Sequence, residues 1–577
     1  MAAEAPRTLK TVTGAGGQGH DIYDQAVDPS RSTLDIARLI AERAEKAQID
    51  FLFTADLLRF GAQGAIGSQE PLMFVSALSG ITSRIGLIAT VSTTFHDPFN
   101  LARFFGTLDH VSNGRAAWNL VTSSVGEENY GGSLPAPEDR YARAAESLDV
   151  IYALWDSWKA GALTPGERGR AVLDPAKVLP VGHEGRFFSV KGPLNIPPLP
   201  QGRPVQLQAG QSEAGIALGA RYAEIVFTSL PTLDVAEEYT TKIRRLAAGH
   251  GRRPGLPWIF SSLHATFGAT EQEARRKVSE RVAAIDFERG RTQVEDMFGG
   301  GIDLSSVKLD ETVPASLLPD VRTVNGRRGR VDIFRRYAAQ GYTLRELIIA
   351  AQDTGHWSIA GTPEQIADAI EERFNAGVLD VISLGGIADD RQHEFVVDGL
   401  LYELRKRGIV NDGYQGTTLR ESLGLPLEGP RSELPEVQQR RRIGQVGQRD
   451  VRAQAGQFVE WAPSGGHQRA PDADGLGAGE VARGVSYDPD LARVRLPPGG
   501  RQAVECRLGD SRPVGRAVAV SADIGLDRGD QQAGFQLEAR DGGDIAGDDR
   551  LPNAGAGQVR EKRVDAGTGA GPRAQLV

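Results

Sequence analysis

Arg84-Ile-Gly-Leu-Ile-Ala-Thr-Val-Ser-Thr-Thr-Phe-His-Asp-Pro98, followed shortly by Leu108-Asp-His-Val-Ser-Asn-Gly-Arg-Ala-Ala-Trp-Asn-Leu-Val-Thr-Ser-Ser124, is the stretch whose reading decides the fold. Each half is an apolar run too short for a typical helix, ends in hydroxyls and is followed by Pro or Gly. That is the pattern of a buried parallel strand delivering polar groups to one end of a sheet. Two neighbouring strands thus present Ser/Thr clusters to one mouth.

Outward from this stretch, strands alternate with helices. Strands are predicted at Leu9 to Thr13, Phe51 to Ala55, Ile85 to Ser92, Ala116 to Thr122, Val205 to Gln208, Ile225 to Thr228, Trp258 to Phe267 and Asp380 to Leu384. Helices are predicted at Thr33 to Lys46, Pro71 to Thr82 and Thr362 to Asn375, the last opened by a Thr cap with Pro in the first helical position. Eight strand–helix units predict an α/β fold, a (β/α)8 TIM barrel. Active sites of such barrels lie at the C-terminal strand ends, where loops vary without disturbing the core. That rule nominates Asp56, Thr90, Thr122, Ser123, Gln208, Gly210 and Ser212.

Two long excursions interrupt the alternation. One, between the fourth and fifth strands, carries the charged helix start Glu138-Asp-Arg-Tyr-Ala-Arg143 and a hairpin at His183 to Val190. The other runs from about Asp296 to His356 and is Gly-rich around Gly299 to Gly301. Long loops in a compact domain are usually functional or disordered, and both are expected to overhang the barrel mouth as lids.

The chain has 577 residues, more than one core usually supports. Residues 1–429 carry apolar periodicity and form the expected barrel domain. Residues 430–577 are rich in Gly, Arg, Asp, Gln and Ala with no sustained apolar period, so this tail is expected to be disordered or unrelated to the barrel. The only cysteine, Cys506, lies in the tail, which excludes disulfides from the body and fits a reducing, cytoplasmic setting. No N-terminal apolar segment and no run of 18 apolar residues appears, which argues against secretion and membrane spanning. The net charge of -9 argues against nucleic acid as a partner.

Several blocks stand in a recognisable order: Asp50-Phe-Leu-Phe-Thr-Ala-Asp56, Glu70-Pro-Leu, Ala89-Thr-Val-Ser-Thr-Thr, the Leu108 to Ser123 stretch, Asp139-Arg-Tyr141, Gly202-Arg-Pro-Val-Gln-Leu-Gln-Ala-Gly-Gln-Ser-Glu213 and Gly361-Thr-Pro363. Over residues 8–425 the chain resembles the bacterial-luciferase-like flavin monooxygenases, in the branch that holds nitrilotriacetate, dibenzothiophene-sulfone and long-chain-alkane monooxygenases. The resemblance implies a two-component enzyme. A separate NAD(P)H-dependent reductase would supply reduced FMN, and reaction with O2 would give a flavin hydroperoxide that oxygenates a small-molecule substrate. A homodimer or homotetramer is expected. The cofactor carries the difficult chemistry, so no metal or nucleophile triad is required.

By the same resemblance, Asp56 and Thr90 contact the flavin, with Thr122 at the neighbouring strand end. Tyr141 and Ser212 bind toward the ribityl phosphate, beside Gly210 and a helix start that favours an anion. Pro137 occupies a flavin-contacting position where the family has a His. His20 and His356 are the catalytic candidates, with His96 less supported; His110 reads as structural, partnered by Asp109. Each assignment has a plainer reading: Asp56 or Ser212 as a helix cap, Thr90 and Thr122 as buried strand residues. Other functions weighed are a deazaflavin-dependent oxidoreductase, a non-catalytic flavin-binding barrel and a sugar-processing barrel, the last opposed by the lack of a mouth carboxylate pair beyond Asp56 and Glu70.

Overall fold

Alternation along short strands builds the scaffold. In the computed structural model Val12, Phe51, Ile88, Ala117, Val205, Leu207, Ile225, Phe260 and Val381 cluster inside a ring of strands. Their neighbours Leu52, Leu87, Ala89, Trp118 and Leu120 join a second cluster with the surrounding helices. Strands buried on both faces are what a parallel sheet requires. The structure describes residues 7–16, 30, 32–60, 67–167, 170–298, 301–321, 324 and 328–427, together with three short strands further on.

The strands of the first unit are β1 (Lys10–Gly14), β2 (Phe51–Thr54), β3 (Gly86–Ser92), β4 (Ala116–Val121), β5 (Val205–Ala209), β6 (Ile225–Thr228), β7 (Trp258–Phe267), β8 (Trp357–Gly361) and β9 (Val381–Ser383). From β1 to β7 each pairs in parallel with the next, and β9 joins β7 back to β1. The result is a closed eight-stranded TIM barrel, as expected, with boundaries shifted by a residue or two. Its N-terminal floor is plugged by Leu419, Leu423 and Leu425, which pack on the interior cluster. Between Leu419 and Leu423, Arg420 turns back to pair with Glu224, Nη1 to Oε1 at 2.5 Å and Nη2 to Oε2 at 3.0 Å, both side chains almost fully buried.

One strand escaped the sequence pattern. β8 pairs with the distal half of β7, Leu263 opposite Trp357 through Phe267 opposite Gly361, so β7 runs past the ring and carries β8 beside it. Helix Thr33–Lys46 falls where expected. Helix Pro363–Asn375 is capped by Thr362 in a capping box with Gln365. Helix Pro71–Ser79 stops short of the expected Thr82, because the Gly80 and Ile81 amides close tight turns onto Ala77 and Leu78.

The described residues of both excursions form regular elements. The first opens with helix Pro137–Trp155, and Glu146 accepts from the Phe187 and Phe188 amides and contacts His183, which pins the predicted hairpin (His183–Glu184 with Ser189–Val190) to that helix. In the second, Gly299 and Gly300 lie outside the described residues. Helices Phe287–Met297, Arg328–Ala339 and Leu344–Gln352 share a core of their own with Val294, Phe298, Val331, Phe334, Leu347 and Ile348.

Among the described residues no helix is long and apolar enough to cross a membrane. The second unit, residues 447–577, is described only at strands Val504–Arg507, Ala519–Asp523 and Gln536–Ala539, which pair antiparallel. The rest of the tail lies outside the described residues.

Candidate functional site

A cavity of about 800 Å³ opens at the C-terminal mouth of the barrel. That is in the range of a cofactor or drug-sized ligand site. The strand ends reach it through Thr90, Val121, Ala209 and Thr228, and both excursions wall it, the first with Pro137, Arg140 and Tyr141, the second with Arg328, Gly329 and Arg330. Asp56, Thr90, Thr122, Pro137, Tyr141, Gly210 and Ser212, drawn from five separate stretches of sequence, all line it.

On one side, three polar groups and a helix start meet. Ser212 caps helix Glu213–Tyr222: its Oγ accepts from the Gly215 amide at 3.1 Å and donates to Tyr141 Oη at 3.3 Å. The phenol proton of Tyr141 is then left to donate into the cavity. Space is tight on both sides of this contact. A Cβ on Gly210 would lie 3.2 Å from the Gly215 Cα and 3.4 Å from Tyr141 Oη, and one on Gly215 would lie 3.1 Å from Tyr141 Oη. The start of helix Pro137–Trp155 lies on the same cavity, with Pro137 in the first turn, where its missing N–H costs nothing. Arg140, one turn on and buried, donates to the Ser123 carbonyl at 2.5 Å. Ser123 holds φ at 41°, a left-handed conformation that non-glycine residues adopt at a cost of roughly 1–3 kcal/mol where the surroundings enforce it.

The barrel floor supplies a second kind of polar group. Inward-facing Asn119, beneath the mouth, donates from Nδ2 to Thr90 Oγ1 at 3.0 Å; its Oδ1 has no partner among the described residues. An acceptor role toward Asn119 leaves the Thr90 O–H free to donate into the cavity. Asn119 was missed from sequence, though it sits two residues after inward-facing Ala117 on the same strand. Thr122 offers its carbonyl to Thr94 Oγ1 at 2.6 Å. Asp56, half-buried, follows β2; burial and then the charge of Glu70 push its carboxyl up to about 6. Helix Pro71–Ser79 is capped by Glu70, whose carboxylate accepts from the Leu72 and Met73 amides, so the capping role considered for Asp56 belongs to Glu70 there.

Not every nominated residue reaches the cavity wall. Gln208 points outward, its amide against the positions a Cβ on Gly210 or Gly219 would take, because the inward positions of β5 are Val205, Leu207 and Ala209. His20 lies outside the described residues. His356 stands one layer behind the wall: its Nε2 is 3.5 Å from Oγ of Ser229, which lines the cavity, and its ring lies 5.5 Å from Phe227 and 5.8 Å from His264. His96 is half-buried near Glu70 and off the wall, and burial lowers its pKa. His110 is structural, but its partner is the Pro197 carbonyl at 3.2 Å. Asp109 bonds instead to Gln201 Nε2 at 2.6 Å, and burial pushes its carboxyl up to about 7.

Comparison with known proteins bears on this site. The family described as luciferase-like monooxygenase matches residues 16–380. The chain is 36% identical over 431 residues to N-acetyl-S-(2-succino)cysteine monooxygenase of Bacillus subtilis (strain 168), covering 73% of this chain and 97% of that protein. It is 34% identical over 424 residues to nitrilotriacetate monooxygenase component A of Aminobacter aminovorans, covering 69% and 92%. The crystal structure of a riboflavin lyase with modified FMN and substrate riboflavin superposes with a TM-score of 0.62 at 29% identity, covering 72% of this chain and 96% of that one.

Proposed function

The chain belongs to the luciferase-like monooxygenase family and is a flavin-dependent monooxygenase; on that premise we propose that it is the oxygenase component of a two-component system. It takes reduced FMN from a separate NAD(P)H-dependent flavin reductase and adds one atom of O2 to a small organic substrate. The observation that carries this reading is the convergence of Tyr141, Ser212 and the start of helix Glu213–Tyr222 on one cavity with Thr90 and Asp56. A relative that is itself named as component A supports the partner.

The residues fit the cofactor. The glycine notch at Gly210 and Gly215, beside a helix start, suits a terminal phosphate, which the Tyr141 and Ser212 hydroxyls and the helix amides would hold. Phe227 supplies an apolar wall, and the Thr90 hydroxyl, fixed from below by Asn119, gives the ring system a polar contact. When bound, reduced FMN supplies two electrons to O2, so that one oxygen atom enters the substrate and the other leaves as water. The protein's part is to orient and to exclude water, which helix Arg328–Ala339 does by walling the mouth. Asp56 keeps a proton on its carboxyl up to about pH 6 at the edge of the same cavity.

The test is reconstitution of the full chain with FMN, NADH and a generic flavin reductase, with a panel of thioethers, aminopolycarboxylates, sulfones and alkanes. Product carrying one atom from labelled O2 is expected. Tight flavin binding without substrate-dependent oxygen consumption across the panel refutes the oxygenase reading.

A further inference from the structure

Three guanidinium groups line the cavity, and among the described residues one of them has no protein partner. Arg140 is engaged by the Ser123 carbonyl. Arg328 donates to the Val324 carbonyl at 2.8 Å and lies 3.9 Å from Glu138, and its charge is felt at Arg140. Arg328 therefore belongs to the side of Tyr141. Arg330 shares their helix but not their surroundings. Among the described residues no carboxylate, carbonyl or ring contacts it, and burial lowers its pKa. Its stem passes Gly355, where a Cβ would sit 3.9 Å from Arg330 Cγ, and the residue lines the cavity.

The cavity carboxylates do not neutralise it. Glu213 is taken by Lys242, Asp332 by Arg336 at 3.3 Å, and Glu138 faces Arg328. Asp56 is the remaining one; it follows β2, and Glu70 is the neighbouring charge that bears on it. Removing a cation from water without a counter-charge is costly, and such groups persist in proteins where something else supplies the anion. A guanidinium presents a planar fork that matches a carboxylate in two parallel hydrogen bonds.

We propose that Arg330 is the recognition residue for a substrate carboxylate, and that this enzyme acts on small organic acids rather than on neutral sulfones or hydrocarbons. This rests on the monooxygenase reading of the cavity. The carboxylate meets Arg330, and the flavin phosphate meets the Tyr141 and Ser212 hydroxyls.

The experiment is calorimetric titration of the full-length protein, saturated with FMN, with matched acids and methyl esters: N-acetyl-S-(2-succino)cysteine and nitrilotriacetate, each against its ester. At least one acid is expected to bind at least about tenfold more tightly than its ester, as the loss of a charge-assisted pair implies. That preference disappears in Arg330→Gln, survives in part in Arg330→Lys, and FMN affinity is the same in all three proteins. Melting temperatures of both variants confirm that they fold. Three results overturn the proposal: no preference for any acid in the parent protein, a preference unchanged in Arg330→Gln, or a fall in FMN affinity in Arg330→Gln, which would assign Arg330 to the phosphate. Acid binding without oxygenated product would instead sink the monooxygenase reading and leave the carboxylate site standing.

Discussion

Replacing Tyr141 with Phe removes one oxygen atom from the place where the proposed phosphate end is built. Tyr141 Oη accepts from Ser212 Oγ at 3.3 Å and is hemmed in by Gly210 and Gly215, so its proton has the cavity as its outlet. A hydrogen bond to a charged group is worth about 1.5–3 kcal/mol, so Tyr141→Phe should weaken reduced-FMN binding roughly ten- to hundredfold. Ser212→Ala should weaken it by a similar factor, and should also lower the melting temperature. Its Oγ caps helix Glu213–Tyr222 through the Gly215 amide at 3.1 Å, and loss of such a cap costs about 1 kcal/mol. Because the two hydroxyls touch, the double variant should lose less than the sum. Anaerobic equilibrium titration with reduced FMN measures the affinities, and turnover at saturating flavin should stay near the parent value. A Tyr141→Phe protein that folds and binds reduced FMN within twofold of the parent shows that the phosphate lies elsewhere.

Asn119→Leu takes away the donor that fixes Thr90 Oγ1, and should raise the ratio of hydrogen peroxide to oxygenated product more than it lowers flavin affinity; an unchanged ratio in a folded variant removes Asn119 from the site. Arg420→Met leaves the Glu224 carboxylate buried without its cation, which should cost about 3–5 kcal/mol in chemical denaturation; a loss under about 1 kcal/mol, the scale of an exposed pair, contradicts that account. Asp56 titrates near 6 in the folded protein and near 3.8 unfolded, so the folded state holds the extra proton between those values. Stability from this group is therefore full below the unfolded value and is lost as pH rises toward about 6. Asp56→Asn should abolish that slope, and a parent-minus-variant stability difference that stays flat across the window contradicts the raised pKa.

The barrel was legible because its signal is local. Phe51-Leu-Phe-Thr54 and Ala116 to Val121 are short, apolar and buried on both faces, and each such run is readable without knowing its partner. Strand ends were legible for the same reason: a hydroxyl cluster followed by a breaker marks the mouth, and Thr90, Thr122 and Ser212 all line the cavity there. Parity was the finer signal left unused. It separates Gln208, which turns to the helix layer beside inward Leu207, from Asn119, which turns in toward Thr90. Pairings across long separations were not readable at all. β8 is identified by its register with Leu263 to Phe267, nearly a hundred residues earlier, and the only local hint was that β7 is ten residues long.

The same distinction divides the site's labour. Rigid strand ends place neutral hydroxyls, whose positions are fixed by the ring and by contacts such as Asn119 to Thr90. The excursions place guanidinium groups, and the second rests on a separate apolar core, Val331 and Phe334 against Leu347 and Ile348, that no strand pattern announces. A basic run such as Arg327 to Arg330 reads in sequence as a solvated surface. Only when Val331 and Phe334 are buried, and Gly329 is pressed against Gln211, is the first turn of helix Arg328–Ala339 held at the mouth with Arg330 on the cavity wall. On the proposed reading, the barrel supplies chemistry common to any occupant of the mouth, and Arg330 of the second excursion selects the occupant held there.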